Sequence, residues 1–309
     1  MESPGPAGAS PKPILDGALT VDLEDWRCAL NPDKHADYRQ RPAPNEEFLR
    51  ESTSKLLSEL ERAGARATFF VLGEVARVVP DVVRDISRRG HEVASHSPVH
   101  LPPAMIPRDA YEELIRKDIA LLEGLANRRP IGFRVPYMAI GRRDGWLVDM
   151  LARLGFSYDS SVSPTWTPYW GIPFAPKRPY YLDVADISRG SSSGHMVEIP
   201  LTVWPSWSVL PGLPVAGGFY MRVWPMPSLK WMLHRNVRNG FPLNLYIHPG
   251  NLETNKEVVP NPTVRDRISQ YAGSSRGVTS FREIIKEFKF GTLYELHRGI
   301  IDSVTSERK

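Results

Sequence analysis

Glu92-Val93-Ala94-Ser95-His96-Ser97-Pro98-Val99-His100 is the stretch from which this chain can be read. Glu92 to Ser95 reads as a short β-strand, and the two imidazoles that follow, four residues apart, leave its carboxyl end in a tight turn. Pro98, with a fixed φ and no N–H, suits a first turn and lets the next residues coil. Both rings then lie on one side, about one helical pitch of 5.4 Å apart. Neutral imidazoles placed in this way are common ligands of divalent metals, although two surface histidines in a turn would show the same spacing.

Outward from this stretch the chain alternates between strand and helix. Gly17 to Val21 and Ala67 to Leu72 are apolar and β-branched or aromatic, as buried strands are. Between them, Asn45 to Ala63 carries Phe48, Leu56, Leu57 and Leu60 at helical spacing. Asn45 is its N-cap, Glu46 and Glu47 lie in its first turn, and Gly64 stops it. Helices are expected over Pro80–Arg89, ended by Gly90, and over Arg108–Ala126, whose Leu114, Ile115, Ile119 and Leu122 share a face. Ile131 to Phe133, Phe156 to Tyr158, Val197 to Pro200 and Pro242 to Ile247 read as further strands. Gly145–Leu154, Ser228–Asn239, Pro262–Tyr271 and Phe281–Phe288 read as helices. Such alternation implies parallel strands with right-handed crossovers, and ligands that gather at the carboxyl ends of the strands.

At 309 residues, 41% hydrophobic and 24% charged, the chain has the composition of one large globular α/β domain. Residues 1–13, rich in Gly, Pro, Ala and Ser, read as a disordered tail and not as a signal peptide. Residues 14–290 are expected to make one α/β domain of barrel size, with 164–224 as an irregular, loop-rich insertion, and 291–309 to extend beyond it. No apolar run reaches the roughly 18 residues of a membrane span, so stable membrane insertion is not expected and a cytoplasmic location follows by default. The single cysteine, Cys28, allows no internal disulfide and fits a reducing compartment. The net charge of +4 comes from scattered residues, and nucleic acid is not an expected partner.

The strand ends carry chemistry. The first delivers Asp22-Leu23-Glu24-Asp25, the third His96 and His100, the fourth Arg134-Val135-Pro136-Tyr137, and a late one His248-Pro249. Any one of these could be a solvated turn or a surface residue. Four strand ends carrying groups suited to one hydrolytic site make a specific combination.

These motifs resemble those of the polysaccharide deacetylase family, the NodB-homology carbohydrate esterases. Thr20 to Asp25 resembles the family's first motif, His96 to His100 its His-Ser/Thr-x-x-His motif, Arg134 to Tyr137 its Arg-x-Pro-Tyr motif, and Leu245 to Pro249 its last histidine motif. The resemblance runs from about Leu15 to Phe288. The opening Val-Asp-x-Glu-Asp-Trp, Tyr158 to Ser161, Gly217 to Tyr220 and the closing Phe281 to Phe290 resemble the subgroup found with bacterial exopolysaccharide and surface-glycan assembly. The resemblance implies a distorted (β/α)7 barrel and metal-dependent N-deacetylation of an amino sugar, in a glycan or in a nucleotide- or lipid-linked precursor.

The expected ion is Zn²⁺, with Co²⁺, Ni²⁺ or Mn²⁺ as alternatives, held by His96, His100 and one carboxylate. Leu23 separates two acids that are adjacent in the usual motif, so Glu24 and Asp25 both qualify; Asp25 is preferred for its shorter reach. Asp22 is the expected general base. The resemblance implies that Arg134 orients it, that His248 protonates the leaving nitrogen, and that Pro136 and Tyr137 border the acetyl pocket. Asp159 is a candidate for the acid that tunes His248. Trp166, Trp170, Trp204, Trp207 and Trp224 include candidate sugar-stacking platforms. The competing readings are a carbohydrate-binding protein without turnover and an amidohydrolase acting on a small amide such as a cyclic ureide.

Overall fold

The computed structural model describes residues 14–25, 43–167, 170–253, 267–268 and 271–307. Strands β1 (Gly17–Leu23), β2 (Thr68–Val71), β3 (Glu92–Ser95), β4 (Gly132–Phe133) and β5 (Tyr158–Asp159) are successive parallel neighbours. The edge of β5 carries an antiparallel pair, β6 (Tyr180–Leu182) and β7 (Gly190–Ser191), linked to it through β8 (Val197–Glu198), which is parallel to β5. β9 (Val203–Trp204) and β10 (Leu213–Pro214) make a separate hairpin. β11 (Leu243–Ile247) returns parallel to β1 on its other side, and β12 (Phe290–Gly291) adds to the start of β1. Seven parallel strands thus curl in the order β11-β1-β2-β3-β4-β5-β8. The seam between β8 and β11 is bridged by Asn244, whose Nδ2 donates to Ile199 O at 3.0 Å and whose carbonyl accepts from Thr202 N at 3.1 Å. This is the seven-stranded barrel that the sequence motifs imply.

The helices are α1 (Glu46–Ala63), α2 (Gly73–Val78), α3 (Pro80–Arg88), α4 (Arg108–Ala126), α5 (Gly145–Arg153), α6 (Gly218–Val223), α7 (Met226–Arg238), α8 (Gly277–Glu287) and α9 (Leu293–Glu307). The caps of α1 are as expected: Asn45 accepts from Phe48 N, and Gly64 closes the helix in the left-handed region at φ 62°. The short α2, with no side-chain cap, and the small strands β6, β7, β9, β10 and β12 carry too few residues for a period to show in the sequence. Most of the helix expected over Pro262–Tyr271 lies outside the described residues, as do Met1–Pro13, Trp26 and Cys28.

Pleat alternation positions the site. Successive strand residues face opposite sides. Leu19, Val21, Leu23, Phe69, Val71, Leu243, Leu245 and Ile247 therefore face outward into the core beneath α1, α3, α7 and α8. The inward set, Ala18, Phe70, Ala94, Tyr158, Val197 and Ile199, fills the barrel floor together with Leu293, Ile301 and Val304 of α9. Gly132 lacks a side chain because a Cβ there would stand 2.1 Å from the Tyr158 ring. The stretch expected to extend beyond the barrel is thus the plug of its amino end. Leu293 N donates to Thr68 Oγ1 at 2.8 Å and Tyr294 N to Glu92 at 3.2 Å, tying α9 to β2 and β3.

Candidate active site

The alternation that packs Ala18 and Thr20 inward brings Asp22, and after it Glu24, to the barrel mouth. Asp22, Glu24, His96, His100 and Arg134 are all buried, at 0–5% exposure. Glu24 Oε2 lies 2.5 Å from His100 Nε2 and 3.5 Å from His96 Nε2. One donor atom from each of the three residues falls within 4.8 Å of the others. The carboxylate that meets the imidazoles is therefore Glu24, and the preference for Asp25 is corrected. Asp25 lies one residue out of phase with the inward-facing positions and accepts from Asn45 N at 2.5 Å, next to the start of α1.

The turn between the two histidines bends without forming the expected helical coil. Ser97 takes a left-handed conformation, φ 77°, which is costly for a residue with a Cβ. It is held there by Ser95 Oγ accepting from its N–H at 3.2 Å, by Gly73 N donating to its carbonyl, and by a hydroxyl contact with Tyr111. The ring centroids of His96 and His100 end 5.4 Å apart. His96 Nδ1 meets the Arg134 carbonyl at 2.9 Å, so Nδ1 carries the proton and Nε2 presents its lone pair toward Glu24.

These residues fit a divalent cation. Glu24 Oε2 is buried and, among the described residues, has no hydrogen-bond partner of proper geometry, although two imidazole nitrogens face it. Burial alone would raise the Glu24 pKa. His100, with His248, outweighs that and holds it well below the ordinary carboxylate range. Two imidazoles and one carboxylate form a donor set suited to Zn²⁺ with further positions open.

Arg134, fully buried, orients Asp22. Its Nη1 donates to Asp22 Oδ1 at 2.7 Å and to Thr20 Oγ1 at 2.8 Å. Its Nε and Nη2 donate to the Ser160 carbonyl and hydroxyl at 2.8 and 2.9 Å, and the guanidinium lies 4.0 Å from the centre of the Phe70 ring. The fork that could grip one carboxylate is instead shared between Asp22 and Ser160. His248 Nε2 is 3.1 Å from Glu24 Oε1 and 3.9 Å from Asp22 Oδ2. Burial disfavours its protonated form, but Glu24 and Asp22 overcome this and raise its pKa above the ordinary histidine value.

Tyr137 stands in the left-handed region at φ 59°, beyond Pro136, with its ring against the His100 ring at 4.2 Å. Asp159 is not the partner of His248. It faces away from the mouth, accepts from Ser161 Oγ at 2.8 Å, and shares the neighbourhood of Glu198, burial raising the pKa of both acids. Ser160, Thr20 and Asn251, whose side chain accepts from His248 N at 2.8 Å, were not singled out in the sequence. The inward parity of Thr20 with Asp22, and of Ser160 with Tyr158, is the signal that marks the first two.

The model of the polysaccharide deacetylase family matches residues 42–158, and a second, described as a domain of unknown function (DUF3473), matches residues 160–298. Each match takes in less than half of the chain: the first likens residues 42–158 to polysaccharide deacetylases, and the second segment has no described function in the family comparison. A peptidoglycan deacetylase of Helicobacter pylori is 26% identical over 251 residues, 76% of this chain and 82% of the relative. A peptidoglycan deacetylase-like protein of Gibberella zeae is 30% identical over 47% of this chain, and the match spans only 41% of that relative's length. Among solved structures, one assigned as a polysaccharide deacetylase from Mycobacterium smegmatis superposes with a TM-score of 0.56 at 21% identity, covering 99% of this chain and 96% of its own. PuuE allantoinase superposes with a TM-score of 0.53 at 14% identity, covering 91% and 88%. Likeness at these identities shows a shared fold.

Proposed function

We propose that this protein is a metal-dependent hydrolase that removes the N-acetyl group from an amino sugar of a bacterial glycan or glycan precursor. The observation that carries the reading is the convergence of Glu24, His96 and His100 beside the Asp22–Arg134 pair. A relationship to deacetylases of peptidoglycan and of chitooligosaccharide supports the substrate class.

An acetamide resists water because its carbonyl is resonance-stabilised and its amine leaves poorly. A divalent ion, Zn²⁺ by donor set, would be held by Glu24, His96 and His100, polarising the carbonyl and lowering the pKa of water. Asp22, fixed by Arg134, accepts the proton of the attacking water. His248, acting as the imidazolium beside Asp22, gives a proton to the departing nitrogen. Tyr137 borders the acetyl group, its ring packed on the His100 ring. Asp22 Oδ2 and His248 Nε2, 3.9 Å apart, allow base and acid to serve one substrate atom cluster.

Acetate release from N-acetylglucosamine oligomers, measured after chelation and again after restoring zinc, tests the reading. Loss on chelation with recovery on zinc is expected. Release indifferent to chelation removes the metal role. Zinc binding without acetate from any glycan, but with turnover of a cyclic ureide, assigns the site to the small-amide reading.

A further inference from the structure

Between Glu198 and Glu253 lie 54 residues without an aspartate or glutamate, in a chain that carries 35 acids in 309 positions. The same 54 residues hold Arg222, Lys230, Arg235 and Arg238, and four of the eight tryptophans. This acid-free segment forms the β9–β10 hairpin and α7, and it presents an apolar surface. A groove of about 430 Å³ lies between the hairpin and the first turns of α7, lined by Trp204, Leu213, Trp224, Pro227, Trp231 and Met232, with Ser228 the one hydroxyl side chain. Beside it the hairpin tip holds Val209 87% and Leu210 64% exposed, and Trp231 is 54% exposed on α7.

The tip is held outward by bonded structure. Lys177 Nζ donates to the carbonyls of Pro205, Ser208 and Leu210 at 2.7–2.9 Å, locking the loop from beneath. Gly212 N and Thr165 Oγ1 tie the same loop to the segment before it. Trp231, Arg235 and Arg238 fall at i, i+4 and i+7 on α7 and share one exposed face. The guanidinium of Arg235 lies 5.8 Å from the Trp207 ring, and among the described residues neither arginine has a carboxylate within ion-pairing distance. The acids that α7 does meet, Glu283 and Glu287, are engaged by Lys230 and His234.

We propose that this face docks the protein on the surface of a bilayer containing anionic lipid. Exposed aliphatic side chains, tryptophans at their margin and unpaired arginines are the composition that enters a headgroup layer. A sugar would need hydrogen-bond acceptors as well as donors around the stacking rings, and among the side chains lining the groove only Ser228 offers an acceptor oxygen, the indole N–H groups being donors alone. The proposal does not depend on the reaction at the barrel mouth, and its test needs no turnover.

The full chain is mixed with large vesicles of phosphatidylcholine, or of phosphatidylcholine and phosphatidylglycerol in equal amounts, and the sedimented fraction is followed as salt rises. Binding to the anionic vesicles that weakens with salt is expected. Val209→Asp with Leu210→Asp lowers the partition coefficient about 100-fold, roughly tenfold for each apolar side chain withheld. Arg235→Gln with Arg238→Gln lowers it about 25-fold on anionic vesicles, at roughly fivefold per arginine, and leaves phosphatidylcholine unaffected. All four positions are exposed, so the fold, checked by near-ultraviolet circular dichroism, is retained; should the first pair alter it, the arginine pair decides. Failure to sediment with anionic vesicles, or sedimentation indifferent to the arginine pair, overturns the proposal. A dimer in sedimentation equilibrium without lipid, dissociated by the aspartate pair, assigns the face to a second copy and overturns it as well.

Discussion

Replacing Arg134 by methionine isolates what the buried cation does for Asp22. Methionine retains an unbranched apolar stem, but it removes the guanidinium that lies over the Phe70 ring, the donors to Asp22 and Thr20 and both donors to Ser160. Asp22 is 2% exposed, so its carboxylate is left without its cation in a site that water enters poorly. Breaking a buried pair in this way costs about 3–5 kcal/mol, most of it from the stranded charge and not from the lost attraction. Neutralising that charge should therefore rescue the fold: Asp22→Asn in the Arg134→Met background recovers roughly 2 kcal/mol, a coupling within the range seen for residues in one network. Urea unfolding of wild type, both single variants and the double variant gives the cycle, and acetate release is measured on the same four proteins. Stability and activity then separate. The double variant regains stability and remains inactive, because the base is absent. A single-variant cost below about 1 kcal/mol, the value of an exposed pair, or no recovery in the double variant, would refute the claim that Arg134 compensates a buried carboxylate.

Glu24→Gln is expected to weaken zinc binding, measured by chelator competition, by more than the roughly 10–100-fold associated with outer partners of a metal ligand. Asp25→Asn leaves that affinity unchanged; the reverse pattern would restore Asp25 as the ligand. Burial, with Arg89 and Arg66 nearby, depresses His91 to about 4, and Ala67 N donates to its Nδ1 at 3.2 Å, which requires the neutral ring. The unfolded chain, with an ordinary value near 6.5, binds the proton first as pH falls, so this stability is present above about pH 6.5 and lost towards pH 4. His91→Gln should flatten that part of the stability curve, worth roughly 2 kcal/mol after allowance for partial exposure; an unchanged slope excludes His91 as its source. Ending the chain before α9 uncovers the floor formed by Leu293, Ile301 and Val304, at about 1.5–3 kcal/mol for each large side chain. The shortened protein should unfold at markedly lower urea, and an unchanged midpoint would contradict the plug.

How much of this was legible in the sequence follows from where information is local. The long helices were read correctly because α1 and α4 repeat their apolar face over several turns and end in residues that stop helices, as Gly64 does. Their order with the strands was enough to give parallel strands, and the strand ends gave the candidate residues. What one linear pass could not give was the contribution of distant partners. Nothing near His96 announces that its Nδ1 rests on the Arg134 carbonyl, 38 residues on. The antiparallel pair β6–β7 and the hairpin β9–β10 hide in a stretch too rich in Pro and Gly to show a period. The last residues looked like an extension because their burial is supplied by the barrel floor they close.

The choice between Glu24 and Asp25 was nevertheless decidable from the strand itself. Reach favoured the shorter acid only if both residues faced the mouth, and a strand permits that of one. Leu19, Val21 and Leu23 are the apolar residues of β1 that pack outward. Period two then assigns Ala18, Thr20 and Asp22 to the interior and carries the next inward place to Glu24. The same parity runs through Arg134 after Gly132, Ser160 after Tyr158 and His248 after Tyr246. Five residues from four strand ends thus meet because each lies an even number of places from a residue already committed to the barrel interior. With Leu23 on the outward side between them, Asp22 and Glu24 both take inward places, and the longer side chain of the glutamate brings its carboxylate within reach of His96 and His100. On this argument, shortening Glu24 to aspartate withdraws the carboxylate from His100 Nε2 and His96 Nε2, and zinc affinity measured by chelator competition should fall; an unchanged affinity would refute it.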